Sequence, residues 1–151
     1  MQTRQRFPYE YLEGAFLAAC CAFVLAIGLL QSPAAQYDDA YITYRYARNL
    51  LQGQGFVYNP GEAVLGTTAP LYGLVLAALG ALGLPLPQAS QIIGALAWAA
   101  TVLLLWAMAR RPGAPAEGLV AAGLMATFPL ALQVLGMETN AVIALQLADG
   151  L

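Results

Sequence analysis

Residues 91–109 read QIIGALAWAATVLLLWAMA, and they end the longest uncharged stretch of this 151-residue chain. That stretch covers residues 63–109, which is 47 residues without Asp, Glu, Lys or Arg. Two more uncharged stretches cover residues 14–37 (24 residues) and 118–137 (20 residues). Crossing the hydrocarbon core of a bilayer takes about 20 helical residues, so each stretch can contain a membrane-spanning helix. The sequence therefore predicts an integral membrane protein built from helices.

The overall composition agrees with that class. Hydrophobic residues make up 60 % of the chain and charged residues only 9 %, whereas soluble proteins carry roughly 25 % charged residues. All six basic residues are Arg, and no more than two are adjacent, which gives no support for a nucleic-acid partner. The chain has no His, and its two cysteines, Cys20 and Cys21, are neighbours in the first apolar stretch. The sequence therefore predicts neither nucleic-acid binding nor a zinc site.

Charge-free stretches, prolines and glycines divide the chain into predicted helices. We predict membrane spans over about 14–30, 91–109 and 118–136, shorter helices over 39–52 and 69–83, and a truncated helix over 140–151. Residues 1–151 are thus expected to form an all-α, polytopic membrane bundle with about three spans and a partial fourth. An outer-face loop, residues 32–88, would carry the two shorter helices as juxtamembrane elements.

Capping and breaking residues set the expected ends of the two shorter helices. Asp38 or Asp39 is expected to cap the first helix, and the glycines of GQG at 53–55 are expected to end it. One of the two threonines at 67–68 is expected to cap the second helix, with a proline in its first turn. The prolines of GLPLP at 83–87 should stop that second helix.

The arginines decide the expected orientation. Two of them precede the first span and two follow the second (Arg4, Arg6, Arg110 and Arg111), and the positive-inside rule prefers all four in the cytoplasm. They share one side only if helix 69–83 does not cross, and at about 22 Å that helix is shorter than the hydrocarbon core. We therefore expect a cytoplasmic N-terminus, with residues 32–88 and Glu138 on the outer face. An uncleaved first span is favoured over a signal peptide, whose apolar region is usually shorter.

Polar residues concentrate in one segment, which reads DDAYITYRYARNLLQGQGFVYNPGEAVLGTT over residues 38–68. The segment contains, in order, an acidic pair, an aromatic residue, the sequence RYARNL, a G-x-G, the sequence NPGE and finally G-T. This order closely resembles the first outer loop of bacterial GT-C superfamily glycosyltransferases, membrane enzymes that use polyprenyl-phosphate sugars. It looks nearest to the arabinofuranosyl- and mannosyltransferase-like branch, which GMET at 136–139 also matches. The resemblance covers residues 36–75 and 136–142, and the apolar helices by pattern only.

The resemblance implies an active site at the outer face. In that family an acid just after the first span is the catalytic base or a metal ligand, and a second acid at the outer end of a later span lines the same cavity. On this chain the first role falls to Asp38, with Asp39 beside it, and the second to Glu138. A divalent ion, Mg²⁺ or Mn²⁺, would take Asp38 and Glu138 as ligands. The implied donor is a lipid-linked sugar, transferred with inversion at the anomeric carbon.

The neighbouring side chains suit this chemistry. A carboxylate within hydrogen-bond reach can take the proton of an alcohol acceptor. Arg45 and Arg48 are three residues apart, so they share one helix face and could bind the donor's phosphate group. Tyr41 and Tyr44 offer flat rings for a sugar and anchors at the level of the lipid headgroups.

Each of these residues also has a structural interpretation that the sequence leaves open. Asp38 and Glu138 could each cap the helix that follows. The two arginines could hold lipid phosphates or pair with Glu62, and the tyrosines could form an interfacial belt. Sequence patterns alone do not choose between these roles.

We therefore expect the N-terminal part of an inverting glycosyltransferase of the bacterial plasma membrane, which makes cell-envelope products and is inactive as this chain alone. Its partners would be the lipid-linked donor, membrane lipids and further membrane subunits. The alternative is a small inactive subunit or truncated remnant that acts as an interaction protein in a larger membrane complex. Small residues at helical spacing (Gly73, Ala77 and Gly80) would let a partner helix approach. A transporter is disfavoured, because no predicted span has an interior charge.

Overall fold

The computed structural model describes residues 7–32, 38–62, 64–110 and 114–151. Over these ranges the chain forms the helices α1 (Phe7–Leu30), α2 (Asp38–Leu51), α3 (Pro70–Ala81), α4 (Leu86–Arg110), α5 (Pro115–Ala126), α6 (Pro129–Gln133) and α7 (Thr139–Asp149). The described residues contain no β-strand, so the prediction of an all-α fold is confirmed.

Helices α1 and α4 are long and apolar enough to span a membrane. Only 22 % of the apolar window of α1 and 33 % of that of α4 is buried inside the chain. The core helix of a soluble protein would bury most of such a window, and α4 lies too far from the N-terminus to be a signal sequence. The two helices therefore present apolar surfaces that water does not solvate well, which is consistent with a membrane protein.

Helix α4 is the central helix of the bundle and contacts α1, α3, α5 and α7. Its middle buries Ala95, Trp98 and Val102 against Val24 of α1 and Ala122 of α5. A second, smaller core lies at the start of α4, where α2 and α3 pack. The two cores share one helix, so the packing of α4 determines where α2 is held relative to the long helices.

Helices α1 and α4 run antiparallel, because polar contacts join opposite ends of the two. At the start of α4, Gln91 Nε2 donates to the carbonyl oxygens of Gly28 and Gln31, each at 2.6 Å. At its end, Trp106 Nε1 donates to Glu13 Oε1 at 2.5 Å. The chain therefore returns through α4 along the whole length of α1.

The first helix is longer than we predicted. It starts at Phe7, so it includes Glu13, which the sequence had placed just before a span at 14–30. Glu13 is only 7 % exposed, and the Trp106 indole N–H partly replaces the hydration that its carboxylate loses. The Arg110 guanidinium lies 4.7 Å from the centre of the same Trp106 ring. This arrangement explains how an acid is tolerated inside an apolar helix.

The predicted continuous span over 118–136 does not form. Helix α5 ends at Ala126 and α6 begins at Pro129. Pro129 has no N–H and disfavours a helical residue before it, and Phe128 accordingly has an extended backbone (φ −75°, ψ 111°). Helix α4 was also predicted too short, since it begins at Leu86 rather than 91 and takes Pro87 into its first turn. The described residues therefore confirm two long apolar helices but not a third continuous one.

Residues 115–136, although they do not form one continuous helix, still lie along α4 from one end to the other. An added Cβ on Gly118 would lie 3.1 Å from the Trp106 carbonyl oxygen, and Trp98 Nε1 donates to the Met125 carbonyl at 2.9 Å. Near the other end, Gly94 meets the backbone of Leu135. Residues 115–136 thus lie antiparallel to α4, as one long helix would.

The ends of the shorter helices agree only in part with the predictions. The residues that follow α2 include Gly53 and Gly55 with positive φ (73° and 85°), as expected for a glycine stop. The expected threonine cap of α3 is wrong, because Ala69 occupies the N-cap position without a side-chain bond. Thr67 Oγ1 instead accepts a hydrogen bond from the Ala69 N–H at 3.2 Å, so it lies two residues before the N-cap position.

We expect Gly94→Ala to destabilise the bundle by about 1–3 kcal/mol, the usual effect of overpacking a core. An added Cβ would lie 2.2 Å from the Leu135 carbonyl oxygen, and a backbone atom cannot move aside as a side chain can. The free energy of unfolding in detergent, measured by far-ultraviolet circular dichroism, checks this value. Gly14→Ala is the matched control, because nothing lies within 4 Å of its added Cβ. Equal stability of the two variants would contradict the close contact.

Candidate functional site

Helix α2 is amphipathic, and its apolar face fixes its position. Ala40, Tyr44 and Ala47 recur at helical spacing and are buried. They pack on Leu76 of α3 and Ala89 of α4 in the smaller core. The opposite face, which carries the charged residues of the segment, is exposed.

Side chains of α2 also hold the loop that follows it. Asn49 Nδ2 donates to the carbonyl oxygens of Val57 at 2.8 Å and Tyr58 at 2.9 Å. Arg45 Nε donates to the same Tyr58 oxygen at 2.9 Å. The Tyr46 hydroxyl donates to the Val64 carbonyl at 2.9 Å and accepts from the Gly66 N–H at 2.6 Å. Much of the quoted motif therefore serves to fold the loop back onto α2.

Helix and loop enclose an open cleft of about 490 Å³, which we call the α2 cleft. Its described lining combines charged, amide and aromatic side chains: Asp38, Tyr41, Ile42, Tyr44, Arg45, Arg48, Asn49, Gln54, Tyr58 and Pro60. Five of the seven predicted site residues are among them. The other two, Asp39 and Glu138, are not.

Asp38 and Arg48 differ from the other polar groups of the cleft. The side chain of neither residue makes a hydrogen bond or ion pair with another residue that the structure describes. Arg45, in contrast, is occupied by the loop: besides its bond to the Tyr58 carbonyl, its Nη2 donates to Asn59 Oδ1 at 3.3 Å and its guanidinium lies 4.5 Å from the Tyr58 ring centre. The cleft thus contains one carboxylate and one guanidinium that are available for a ligand.

The structure places Glu138 beside another segment. It occupies the N-cap position of α7 but makes no side-chain capping bond. Its Oε1 instead accepts from the Thr68 hydroxyl at 3.5 Å. The pairing of Glu62 with an arginine, which the sequence left open as an alternative, is absent from the described residues. Glu62 Oε2 instead accepts from Asn59 Nδ2 at 3.0 Å. Asp39 lies exposed in the first turn of α2.

The Mg²⁺ or Mn²⁺ site stays a prediction. Among the described residues, no three carboxylate, thiol or imidazole side chains come close enough together to hold a metal ion. The α2 cleft offers Asp38 as its one described carboxylate, beside two arginines. Mg²⁺ sites usually rely on one or two carboxylates with several waters and substrate phosphates, and nearby guanidinium groups repel a cation. This lining suits an anion better than a metal ion.

Tyr44 joins the cleft to the long helices. Its ring lines the cleft, while its hydroxyl is hydrogen-bonded to Ser90 Oγ and lies 3.1 Å from the Gly136 carbonyl oxygen. Ser90 Oγ is itself 3.2 Å from that oxygen, and the Tyr72 hydroxyl donates to the Ser90 carbonyl at 3.4 Å. The tyrosine that we predicted to bind substrate is therefore also the residue that docks α2 on α4.

Sequence reasoning missed Ser90 and Asn49 as residues that organise the site. The spacing of Ala40, Tyr44 and Ala47 is the signal that could have identified the buried face of α2, and hence the burial of Tyr44. No comparable signal marks Ser90, because the two partners of its hydroxyl lie 46 residues away along the chain, one in each direction.

Comparison with protein-family models, with curated proteins and with solved structures gives no match. The function proposed below therefore rests on the residues of the α2 cleft and on the sequence resemblance of residues 36–75 and 136–142.

Burial raises the pKa of Tyr44 to about 12, although the hydrogen bond to Ser90 lowers it slightly. Burial also raises the pKa of Tyr72. The neutral phenol is thus the form that the fold favours. The stability that it contributes is complete below pH 10, the ordinary pKa of tyrosine, and is lost as the pH rises towards 12.

We expect an alkaline titration of the protein in detergent, followed by phenolate absorbance, to show that Tyr44 and Tyr72 ionise at a higher pH than ordinary tyrosines. Their share of the absorbance change is the late component. Tyr44→Phe should remove about half of that component. Tyr11→Phe, which alters an exposed ring, is the control and should leave the late component unchanged. A late component that survives intact in Tyr44→Phe would contradict the burial of this hydroxyl.

Proposed function

We propose that the chain is the N-terminal part of a GT-C-like membrane glycosyltransferase, which moves a sugar from a polyprenyl-phosphate donor to an acceptor at the outer face. The observation that supports this most is the pair of unpartnered groups in one cleft. The side chains of Asp38 and Arg48 make no hydrogen bond or ion pair with other described residues, and both residues line the α2 cleft. A free carboxylate and a free guanidinium are the base and the phosphate ligand that such a transfer requires.

The position of the cleft in the bundle supports the outer-face assignment. Because α1 and α4 are antiparallel, the segment between them leaves the bundle at one end, and Arg110 lies at the other. The positive-inside rule puts the arginine end in the cytoplasm of a bacterial plasma membrane. The α2 cleft then opens at the outer boundary, where a lipid-linked sugar would present its phosphate group at headgroup level.

The proposed reaction is one in-line displacement. The acceptor hydroxyl oxygen forms a bond to the anomeric carbon while the bond from that carbon to the donor phosphate oxygen breaks. The phosphate leaves with the bonding electrons, and the configuration at the anomeric carbon inverts. Asp38 accepts the proton of the hydroxyl as general base.

Arg48 would pair with the phosphate oxygens as their charge rises in the transition state. Arg45 keeps its loop contacts and holds the far wall of the cleft in place. Tyr41 packs edge-on against Tyr44, with ring centres 5.3 Å apart, and lines the cleft as a surface for the sugar. No step of this scheme requires Asp39 or Glu138 to reach the cleft.

The alternative function, a small interaction subunit, gains no support from the small residues of α3. Gly73 faces the Phe56 ring, Gly80 faces Leu51 and Leu86, and Ala77 is buried. The small-residue face of α3 is thus used for packing within the chain. It is not free for a partner helix.

We expect Asp38→Asn to lower sugar transfer by about 10²–10⁴-fold, the usual contribution of a general base. The measurement is transfer from a radiolabelled polyprenyl-phosphate sugar in membranes in which the native protein carries out the reaction. Membrane insertion and binding of the donor should be unchanged, because the amide keeps the size of the side chain.

Asp39→Asn is the matched control, since Asp39 neighbours Asp38 in sequence but does not line the cleft. It should keep most of the activity. Near-normal transfer by Asp38→Asn, or an equal loss in both variants, would remove Asp38 from the role of base.

A further inference from the structure

A second cleft adjoins the first, and nothing in the proposed scheme uses it. It measures about 280 Å³ and lies between α2 and the loop, where Tyr46, Tyr58, Asn59, Glu62 and Val64 are among its lining residues. We call it the loop cleft. Tyr58 and Ile42 line both clefts, so these two side chains form the wall between them.

The two clefts differ in charge. The α2 cleft has Arg45 and Arg48 against Asp38, whereas the described lining of the loop cleft has Glu62 as its one charged side chain. A carboxylate without a cation beside it repels phosphate and accepts hydrogen bonds from hydroxyl groups. The loop cleft therefore suits an uncharged ligand rich in hydroxyl groups.

The remaining lining fits the same kind of ligand. The Tyr46 and Tyr58 rings lie 5.9 Å apart, and the Arg45 guanidinium lies over the Tyr58 ring. Tyr58 is still 37 % exposed, so the part of its ring that these neighbours do not cover is accessible to a sugar ring. Glu62 uses Oε2 to accept from Asn59, which leaves Oε1 for a ligand hydroxyl. The volume is just under the roughly 300–1,000 Å³ of pockets for drug-sized ligands, which suits a single saccharide unit.

A chain of hydrogen bonds couples the two clefts. Arg45 Nη2 donates to Asn59 Oδ1, and Asn59 Nδ2 donates to Glu62 Oε2. Asn59 is thereby held on both sides, and Glu62 is oriented by the same loop that forms the wall of the α2 cleft.

From this arrangement we infer that the loop cleft is a saccharide subsite for the acceptor, with Glu62 as hydrogen-bond acceptor and Tyr58 as stacking surface. The inference rests on the proposed function, because an acceptor sugar next to a phosphate site has meaning only for a transferase.

The test is direct binding of small glycosides to the whole chain in lipid nanodiscs, because sugar-headed detergents would compete. Methyl glucoside, methyl mannoside and methyl arabinofuranoside are the probes, and saturation-transfer nuclear magnetic resonance measures their binding. We expect saturable binding of at least one probe, weakened about tenfold by Glu62→Gln, since a hydrogen bond to a charged group is lost. Asp39→Asn, an exposed carboxylate outside both clefts, is the matched control and should leave binding unchanged.

Glu62→Gln should fold normally, because the Gln amide oxygen can still accept the hydrogen bond from Asn59 Nδ2. The backbone bond from the residue 62 N–H to the Asn59 carbonyl, at 3.1 Å, does not depend on the side chain. Tyr58→Leu is a second variant and should also weaken glycoside binding. Absence of binding by all three probes, or binding that Glu62→Gln and Tyr58→Leu leave unchanged, would overturn the inference. So would a divalent cation that binds at Glu62 while the glycosides do not.

Inorganic phosphate, titrated into the same samples, reports the α2 cleft separately. Phosphate binding without glycoside binding would overturn the saccharide subsite and leave the proposed transferase standing. Glycoside binding that is lost in Glu62→Gln, with no phosphate binding, would support the subsite and count against the proposed donor site.

Discussion

Ser90, in the first turns of α4, holds three distant parts of the chain together. Its hydroxyl meets the Tyr44 hydroxyl of α2 and the Gly136 carbonyl before α7, and its carbonyl accepts from Tyr72 of α3. These polar groups are buried, so each would be costly to leave without a partner. The contact therefore fixes the amphipathic helix that carries the cleft against the apolar helices. The geometry of the cleft depends on it more than on any contact within α2.

The long helices supply the rest of the frame. Along α4, the contact of Gly94 with the Leu135 backbone and the indole bond of Trp98 to Met125 keep the broken segment 115–136 beside the central helix. Most of the apolar surface of α1 and α4 faces away from the chain. A bilayer would solvate that surface, and it would place α2 and its loop at the boundary where apolar helices meet water. The packing of α1 and α4 therefore explains both why the chain suits a bilayer and where the α2 cleft lies.

Local patterns predicted the class of fold and half of the described residues that line the α2 cleft, because both depend on signals within a few turns of helix. Charge-free runs predicted α1 and α4, and residues 38–48 line one cleft because they belong to one helix, α2. The same reasoning failed where long-range contacts decide. Glu13 is buried because Trp106 reaches it, Glu138 turns towards Thr68, and Arg45 binds a loop 13 residues further on. Pro129 is a sequence signal for a helix break. Our prediction followed the uncharged run 118–137 instead, and so it joined the two helices into one span.

The most direct test of this account is the side of the membrane on which each end of α4 lies. Gln54→Cys, in the exposed loop after α2, and Ala116→Cys, in the exposed first turn of α5, are made separately and treated with a membrane-impermeant maleimide on intact cells. The chain without an added cysteine is the blank, because Cys20 and Cys21 lie within α1. The account predicts labelling of the Gln54→Cys variant from outside, and labelling of the Ala116→Cys variant only after the membrane is permeabilised. Labelling of both from the same side would mean either that α4 does not cross or that α3 crosses as well. Either outcome would contradict the arrangement in which the cleft and Arg110 lie on opposite sides of the membrane.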